Sequence, residues 1–454
     1  MENVVGYINS NKEKYVEELK DFLRIPSIST LAVNKSDMIT AAEFVAGKLR
    51  EAGMENVKII ETKGHPLVYA DWLKAPGKPT VLVYGHYDVQ PVDPINLWDS
   101  PPFEPTIKDG KIYARGATDD KGQMYMHIKS VEAYFKTVGK LPLNVKFIIE
   151  GEEEIGSGNL DEFVNKNQEM LKCDSVLISD TSLYGPGIPT LTYGLRGLCY
   201  MEVVVTGPNR DLHSGTFGGG VDNPINVLAE MISKLKDNNG KIKIPGFYKD
   251  VVNLTKKERE NFKRLPFSEK QYAKTLGLKE LRGEKGYTTL ERVWARPTLD
   301  CNGIFGGFTG EGAKTVLPSK ATAKISMRLV PNQDPKKIAK LFTSYINKIA
   351  PKTVKVAVSD LHGAYPIATS LDDKATLSAA TAIAKVFGKK TVFMREGGSI
   401  PIVVSFAKKL KAAPVLMGMG LNTENLHSPN EHFNLNHFHL GILSSAYFLD
   451  EYSK

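Results

Sequence analysis

At 454 residues, with 42% hydrophobic and 24% charged residues, the chain can bury a sizeable core in two or three domains. Its net charge of +8 comes without any basic run interleaved with aromatic residues, which argues against a nucleic-acid partner. Three widely separated cysteines and the lack of an apolar run of bilayer length exclude a disulfide framework and predict a cytoplasmic protein with no membrane partner.

Residues 1–194 predict alternating helices and buried strands. Apolar residues at near-helical spacing predict one or two amphipathic helices at the N-terminus, then helices over Thr40–Ala52 and Gln123–Val138. Short apolar runs predict buried strands at Thr80–Tyr84, Val145–Ile149 and Ser175–Ser179. This alternation favours an α/β domain with a mixed sheet.

Residues 195–362 follow a different order, strand–helix–strand–strand–helix–strand, which is typical of a ferredoxin-like α+β domain. We predict that this segment is an inserted domain. The interrupted domain then continues over residues 363–454, with a strand at Pro414–Met417 and a final helix near Asn436–Leu449. The stretch Asn238–Pro297 carries no recognisable motif, and we interpret its many lysines as a solvated surface.

Histidines and carboxylates follow every predicted strand of the interrupted domain (residues 1–194 and 363–454). In chain order these are His86 and Asp88, the run Glu150–Glu154, Asp180, and Glu424 with His427. Because ligands of an open α/β sheet bind beyond the carboxyl ends of its strands, we expect these side chains to converge. A further pair, Asp119 and Asp120, lies in a loop just before a predicted helix.

Two histidines and several carboxylates form a ligand set that suits zinc or manganese. The absence of cysteine from that set favours a catalytic metal over a structural zinc. Asp88 stands two residues after His86, so both side chains point the same way in an extended chain. A carboxylate in that position can accept the second ring N–H of the histidine and fix its tautomer.

The motifs of the chain resemble, in order, those of the cytosolic non-specific dipeptidase and carnosinase group. This group belongs to the superfamily of aminoacylase, carboxypeptidase G and acetylornithine deacetylase. The resemblance runs from about Asp21 to the C-terminus and is looser near Lys256–Lys285. The motifs that carry it are GHYDVQP, RGATDDKG, EGEEEIGSG, SVLISD, YGLRG, DLHSG, GAKTVLP, MRLVPN, REGGSIP and ENLHSPNE.

The resemblance implies a site for two divalent metal ions, with zinc favoured over manganese. One ion is expected on His86, Asp119 and Asp180, and the other on Asp119, Glu154 and His427, with Asp119 as the bridge and a cis peptide after it. Glu154 and the neighbouring base are counted back from Ile155-Gly156-Ser157. The run Glu152–Glu154 has one acid more than the family's usual pair, so a register shifted by one residue stays open.

The resemblance also implies the catalytic and substrate-binding residues. Glu153 is expected to be the general base on a metal-bridging water, and Asp88 the residue that orients His86. His213 is expected to stabilise the oxyanion from across a homodimer interface. The resemblance thus implies a catalytic domain of residues 1–194 and 363–454, with residues 195–362 as its lid and dimerisation domain. Arg328 is expected to bind the substrate carboxylate, with Thr315 and Ser399 as further substrate contacts. These roles predict hydrolysis of dipeptides.

Two alternatives stay open at this point. One is an N-acyl amino acid deacylase that uses the same metals and base, and the other is a catalytically silent metal-binding relative. His432, His437 and His439 could suggest a third metal site, but their spacing favours a turn followed by a helix. A serine hydrolase is disfavoured because no Gly-x-Ser-x-Gly motif occurs.

Overall fold

A computed structural model describes all residues from 1 to 454. The chain forms two compact units, and the second interrupts the first. The first unit comprises Met1–Tyr193, Thr369–Met394 and Pro401–Lys454, and the second comprises Gly194–Ala368 and Arg395–Ile400. Every helix is too short or too polar to traverse a lipid bilayer.

The chain contains fifteen α-helices. They are α1 (Glu2–Ser10), α2 (Lys12–Leu23), α3 (Lys35–Glu51), α4 (Lys121–Val138), α5 (Gly158–Lys166), α6 (Gln168–Leu171), α7 (Ser214–Phe217), α8 (Pro224–Ser233), α9 (Lys256–Phe262), α10 (Glu269–Thr275), α11 (Thr289–Ala295), α12 (Pro335–Ile349), α13 (Lys374–Phe387), α14 (Pro401–Ser405) and α15 (Leu435–Ser453).

Twenty strands accompany them. They are β1 (Glu55–Ile60), β2 (Leu67–Trp72), β3 (Thr80–His86), β4 (Thr106–Lys108), β5 (Lys111–Tyr113), β6 (Asn144–Glu150), β7 (Ser175–Ile178), β8 (Ser182–Leu183), β9 (Thr190–Leu195), β10 (Gly197–Thr206), β11 (Leu212–His213), β12 (Thr298–Gly306), β13 (Val316–Leu317), β14 (Lys320–Leu329), β15 (Lys355–Ala364), β16 (Ile367–Ala368), β17 (Val392–Glu396), β18 (Ala413–Leu416), β19 (Gly420–Leu421) and β20 (His432–Asn434).

The first unit is built on a mixed sheet in the order β1-β2-β6-β3-β7-β18-β9. Strands β6, β3, β7 and β18 are parallel, whereas β1, β2 and β9 pair antiparallel with their neighbours. The parallel strands are almost wholly buried, as expected of strands covered on both faces. Their carboxyl ends therefore meet at one edge of the sheet.

Helix α4 crosses the middle of the first unit and is buried over its first 14 residues, Lys121–Tyr134. It packs on β3 and against α1, α2 and α15, so its N-terminus is fixed beside the carboxyl end of β3. Gly85 permits this approach, because a Cβ there would lie 2.5 Å from Cγ of Met124. The helix ends at Gly139 in the left-handed conformation that suits glycine, with φ of 73°.

The second unit contains an antiparallel four-stranded sheet in the order β12-β14-β10-β15. Helices α8 and α12 pack on this sheet, and apolar residues of β10, β14 and both helices form its core. Asn223 and Asp334 cap these two helices at their N-termini, each followed by a proline at the first helical position. The predicted mixed α/β fold with a ferredoxin-like unit is confirmed.

Residues 238–297, for which the sequence predicted no structure, contain the short helices α9, α10 and α11. Thr255 with Glu258 and Thr288 with Glu291 form capping boxes that start α9 and α11. Each box satisfies backbone N–H groups that a short helix leaves unpaired. The segment is therefore folded, and its polar side chains partly serve to start its helices.

Candidate metal centre

Two groups of side chains in the first unit have the spacing of metal ligands. His86, Asp119 and Asp180 form one group, and Asp119, Glu154 and His427 form the other. Within each group the ligand atoms lie within 4.8 Å of one another. These are the five side chains that the sequence proposed as ligands, and Asp119 belongs to both groups.

The parallel sheet positions most of this set. His86 is the last residue of β3, Asp180 follows β7 within two residues, and Glu154 lies in a single 3₁₀ turn (Glu153–Ile155) shortly after β6. Asp119 lies in the loop before α4, and the peptide bond between Asp119 and Asp120 is cis. The expected convergence at the carboxyl ends of the strands is thus what the fold produces.

The ring of His86 is held between two carboxylates. Its Nδ1 lies 3.1 Å from the carbonyl oxygen of Asp88 and 3.4 Å from Oδ1 of the same residue. Its Nε2 lies 3.3 Å from Oδ1 of Asp119 but is buried without a hydrogen-bond partner. With the proton on Nδ1, the lone pair of Nε2 faces the ligand group, which is the arrangement that a metal-binding histidine needs.

Asp88 does more than face His86. Its two carboxylate oxygens accept the backbone N–H groups of Glu153 and Glu154, at 3.2 and 3.1 Å. The same fully buried side chain therefore orients the histidine and anchors the turn that carries the two glutamates.

His427 completes the second group. Its Nε2 lies 2.9 Å from Oδ2 of Asp119 and 3.3 Å from Oε2 of Glu154. The residue has φ of 59°, in the left-handed region that non-glycine residues rarely occupy. The backbone thus adopts an unfavourable conformation in order to aim this ring at the two carboxylates.

The three acids of the Glu152–Glu154 run face different partners. Glu152 is hydrogen-bonded away from the centre, by the N–H of His65 at 3.2 Å and the amide of Asn159 at 2.7 Å. Oε2 of Glu154 accepts a bond of 2.8 Å from the amide of Gln90, and this residue lies in the second ligand group. Glu153, between them, is in neither ligand group. This arrangement supports the register with Glu153 as the base and Glu154 as the ligand.

Burial and mutual repulsion dominate the electrostatics of the cluster. Burial, followed by the charges of neighbouring acids, raises the pKa of Glu153 to about 7 and raises the pKa values of Glu154 and Asp180 well above the ordinary range. Burial disfavours ionised Asp119 too, but hydrogen bonds from His427 and His86 outweigh it and lower that pKa. The hydrogen bond to Asp119 likewise raises the pKa of His427 to about 9.

This donor set fits two divalent cations. Several carboxylates share a buried space with only two imidazoles to oppose their charge, and the lone Nε2 of His86 is aimed among them. Because a buried charge is costly unless it is paired, such a cluster gains stability from added positive charge. Imidazole nitrogen and carboxylate oxygen are ligands that divalent transition metals accept.

Glu431 and Gln90 support the ligands and were not singled out from the sequence. Glu431 is fully buried, accepts the N–H groups of Gly116, Thr118 and Asp119 at 3.0 to 3.2 Å, and pairs with Arg115 at 2.8 Å. It therefore holds the loop that presents Asp119. The available signal was its place in the ENLHSPNE motif, four residues after His427.

His213 and Thr315 are neighbours in the second unit. Strands β11 and β13 pair, and the N–H of Ser214 donates to the carbonyl of Thr315 at 3.1 Å. The ring of His213 is exposed, and its Nδ1 accepts the N–H of Gly215 at 3.0 Å. A neutral ring in this arrangement carries its proton on Nε2, where it can be donated to an oxygen.

Arg328 and Ser399 also meet in the second unit. Nη1 of Arg328 donates to Oγ of Ser399 at 3.2 Å, and that hydroxyl donates to the carbonyl of Arg196 at 2.6 Å. Burial lowers the pKa of Arg196 to about 10, and the adjacent charge of Arg328 adds to this effect. Nη1 of Arg196 is buried without a hydrogen-bond partner. Sequence reasoning quoted this arginine within YGLRG but gave it no role.

Three further histidines of the first unit, His127, His432 and His439, each have a ring nitrogen in a structural hydrogen bond. The buried ring of His127 bridges the hydroxyls of Ser445 and Ser179 at 2.9 and 2.7 Å. Nε2 of His439 lies 2.9 Å from the amide oxygen of Asn9, and Nδ1 of His432 lies 3.0 Å from the carbonyl of Asn430. These contacts support the structural interpretation of the C-terminal histidines.

Comparison with known proteins gives consistent relatives over nearly the whole chain. The model of peptidase family M20/M25/M40 matches residues 82–451. The Cys-Gly metallodipeptidase dug1 of Schizosaccharomyces pombe is 34% identical, covering 97% of this chain and 96% of its own. The human Beta-Ala-His dipeptidase is 33% identical, covering 99% of this chain and 92% of its own.

A solved structure of a family member has a similar fold. The M20 family metallo-carboxypeptidase Sso-CP2 from Sulfolobus solfataricus superimposes with a TM-score of 0.84 at 35% identity, over 97% of this chain and 99% of that chain.

Proposed function

This chain belongs to peptidase family M20/M25/M40, and from that premise we propose that it is a metallopeptidase that hydrolyses dipeptides. Relatives at 33% and 34% identity over nearly the full length are named as dipeptidases. The observation that carries the proposal is the pair of ligand groups that share Asp119.

In this proposal, His86, Asp119 and Asp180 hold one divalent ion, and Asp119, Glu154 and His427 hold the other. Zinc is the favoured metal and manganese the alternative, because both accept imidazole and carboxylate ligands. When bound, the two ions supply Lewis acidity toward the scissile carbonyl and the attacking water.

Glu153 is the proposed general base. It takes a proton from the attacking water and delivers it to the leaving amine as the peptide bond breaks. Glu153 lies next to Glu154 but belongs to neither ligand group, so its carboxylate is free to accept this proton and to donate it. Asp88 keeps His86 in the ligating tautomer and fixes the turn that carries Glu153.

The second unit supplies the proposed substrate contacts. Arg328 binds the free C-terminal carboxylate of a dipeptide, Ser399 and Thr315 add hydrogen bonds, and Nε2–H of His213 stabilises the oxyanion from the partner subunit of a homodimer. The catalytic domain in this scheme comprises residues 1–194 and 363–454, and residues 195–362 form the lid and dimerisation domain. Three free cysteines favour a cytoplasmic location.

A substrate panel tests the proposal. Chelated protein is assayed before and after addition of zinc or manganese, on plain dipeptides, a β-alanyl dipeptide, a tripeptide and N-acetylated amino acids. We expect metal-restored cleavage confined to the dipeptides. Cleavage of the acylated compounds alone moves the protein to the deacylase alternative, and no turnover with two metals bound makes it a silent relative.

A second candidate function is carboxypeptidase activity on longer peptides. The observation that favours it is the match to Sso-CP2, which is as extensive as the matches to dipeptidases. Release of the C-terminal residue from the tripeptide and from a pentapeptide, at rates comparable to dipeptide cleavage, would support this candidate instead.

A further inference from the structure

The net positive charge of this protein arises from one segment of the second unit. Residues 238–297 contain fifteen Lys and Arg but only seven Asp and Glu. This excess of eight equals the net charge of +8 of the whole chain, so the other residues are balanced. A charge excess confined to one segment creates a positive local potential that attracts anions.

The same segment lines a cavity of about 750 Å³ that lies wholly within the second unit. The end of α8, one side of α11, the start of β12 and the turn at residues 281–284 enclose it. Its volume lies within the range of roughly 300 to 1,000 Å³ found for sites of small organic ligands. Apolar side chains contribute to the wall, among them Ile242, Val293 and Leu299.

One arginine of the cavity is fully neutralised. Arg296 forms two parallel hydrogen bonds to the carboxylate of Glu284, at 2.8 and 2.7 Å. Its guanidinium also lies over the rings of Tyr248 and Tyr287, at 5.0 and 4.3 Å from their centroids. This pair forms part of the wall, and Glu284 neutralises the charge that Arg296 would otherwise offer to an anion.

Arg292, by contrast, is fixed in position but not neutralised. Its Nε donates to the carbonyl of Glu284 at 3.0 Å, while its two terminal nitrogens make no hydrogen bond or ion pair. The side chain crosses directly over Gly283, where a Cβ would lie 2.5 Å from Cδ of Arg292. Glycine at this position therefore lets the guanidinium take its place in the cavity.

The other cations of the cavity divide in the same way. Lys236 donates to the carbonyl of Leu299 at 2.8 Å and lies 3.6 Å from Asp300. Arg282 lines the cavity, is exposed and has no hydrogen bond or ion pair. The guanidinium groups of Arg282 and Arg292 thus form no ion pair. One further acid, Asp237, also lines the cavity, and its carboxylate accepts the backbone N–H groups of Asn239 and Lys241.

We propose that this cavity binds a small organic anion, whose carboxylate or phosphate group is held by Arg292 and Arg282. The planar guanidinium donates paired N–H bonds to such groups, and the apolar wall accommodates the organic part. A macromolecular polyanion is the less suitable ligand, because the uncompensated arginines line a hollow instead of a continuous outer face. The cavity lining includes none of the proposed metal ligands, and the proposal does not depend on the proposed peptidase activity.

Calorimetric titration of the full-length, metal-loaded protein tests this site. The probes are adenosine monophosphate and succinate, with adenosine as the uncharged comparison. We expect binding of at least one anion, and binding of adenosine weaker by about tenfold or more. The stronger of the two anions identifies the preferred acidic group.

Arg282→Gln and Arg292→Gln are each expected to weaken anion binding by about tenfold. Arg264→Gln is the matched control, because it removes the same charge from an exposed position of the same segment outside the cavity. The control is expected to change binding less than about twofold. Arg282 makes no hydrogen bonds, so its variant remains informative if Arg292→Gln fails to fold.

Three results overturn the proposal. One is the absence of heat with either anion up to about 10 mM, where even a weak site would fill. Another is an equal loss of affinity in Arg264→Gln, which would mean that diffuse charge is responsible. The third is binding of an RNA oligonucleotide that adenosine monophosphate does not displace.

Discussion

The two units bury opposite charges, and each leaves them incompletely compensated. In the first, the acids around His86 and His427 outnumber these two imidazoles. In the second, the charge of Arg328 helps to lower the pKa of Arg196, and neither guanidinium is bonded to a carboxylate. Arg196 donates to the carbonyl of Gly397 and Arg328 to the hydroxyl of Ser399. A buried charge without a partner costs free energy, so we expect each arrangement to be stabilised by a ligand of the opposite charge. The acidic cluster suits metal ions, and the arginine pair suits a carboxylate.

The largest effect on activity is expected from a substitution in the acidic cluster, at Glu153. Glu153→Gln is expected to lower kcat by roughly 10²- to 10⁴-fold, because the variant cannot take the proton of the attacking water. Metal content, measured by plasma mass spectrometry, should stay at two ions per chain. Glu152→Gln is the matched control and should retain kcat, since Glu152 is hydrogen-bonded to His65 and Asn159 instead. If Glu152→Gln loses activity and Glu153→Gln does not, the register is shifted by one residue.

Subunit mixing tests whether the two units cooperate across a dimer. His213→Ala and Glu153→Gln homodimers should each be nearly inactive, because one lacks the oxyanion donor and the other the base. Random mixed dimers should regain about a quarter of wild-type activity, since half of the dimers then contain one complete site. Verified mixed dimers without any regained activity would contradict the action of His213 in trans.

A substitution of Arg328 tests whether the arginine pair of the second unit binds the substrate carboxylate. Arg328→Lys is expected to raise KM for dipeptides by about 10- to 100-fold, because a point charge replaces paired hydrogen bonds to the carboxylate. Steady-state kinetics on a dipeptide and on its C-terminal amide provide the measurement. The wild type should discriminate strongly against the amide, and the variant should do so less. Undiminished discrimination would assign carboxylate recognition to another residue, with Arg196 the first candidate.

The smallest effect is expected in the basic segment. Thr288→Ala removes the capping box that starts α11 and should lower the free energy of unfolding by about 1 kcal/mol. Denaturant unfolding measures the loss, and Thr288→Ser should restore it. Because this cap lies in the second unit, metal content should not change. A parallel fall in metal content would show that the metal centre depends on the stability of that unit.

The fold was largely predictable because the buried strands are short apolar runs with polar residues of the centre at or after their ends. His86 ends β3, Asp180 follows β7 by two residues and Glu154 follows β6 by four, so the sheet brings these three residues together. The second helix predicted within residues 195–362 is α12, which begins where Asp334 caps it and a proline occupies its first position.

The supporting residues were not predictable in the same way. Glu431 acts through four hydrogen bonds to one loop, and no local pattern distinguishes it from a solvated acid. Arg196 gains its significance only from the proximity of Arg328, which is distant in sequence. The Thr-x-x-Glu capping boxes of α9 and α11 are a sequence signal for the start of a helix. Each of these helices has only seven residues, which is too few to show a clear apolar periodicity.

The order of the ligands along the chain has a consequence for biosynthesis. His86, Asp119, Glu154 and Asp180 are synthesised before the second unit, whereas His427 follows only after the whole second unit has been made. The second ligand group therefore cannot assemble until the second unit has left the ribosome. The proposed metal centre is thus completed only when the chain of both units is available to fold.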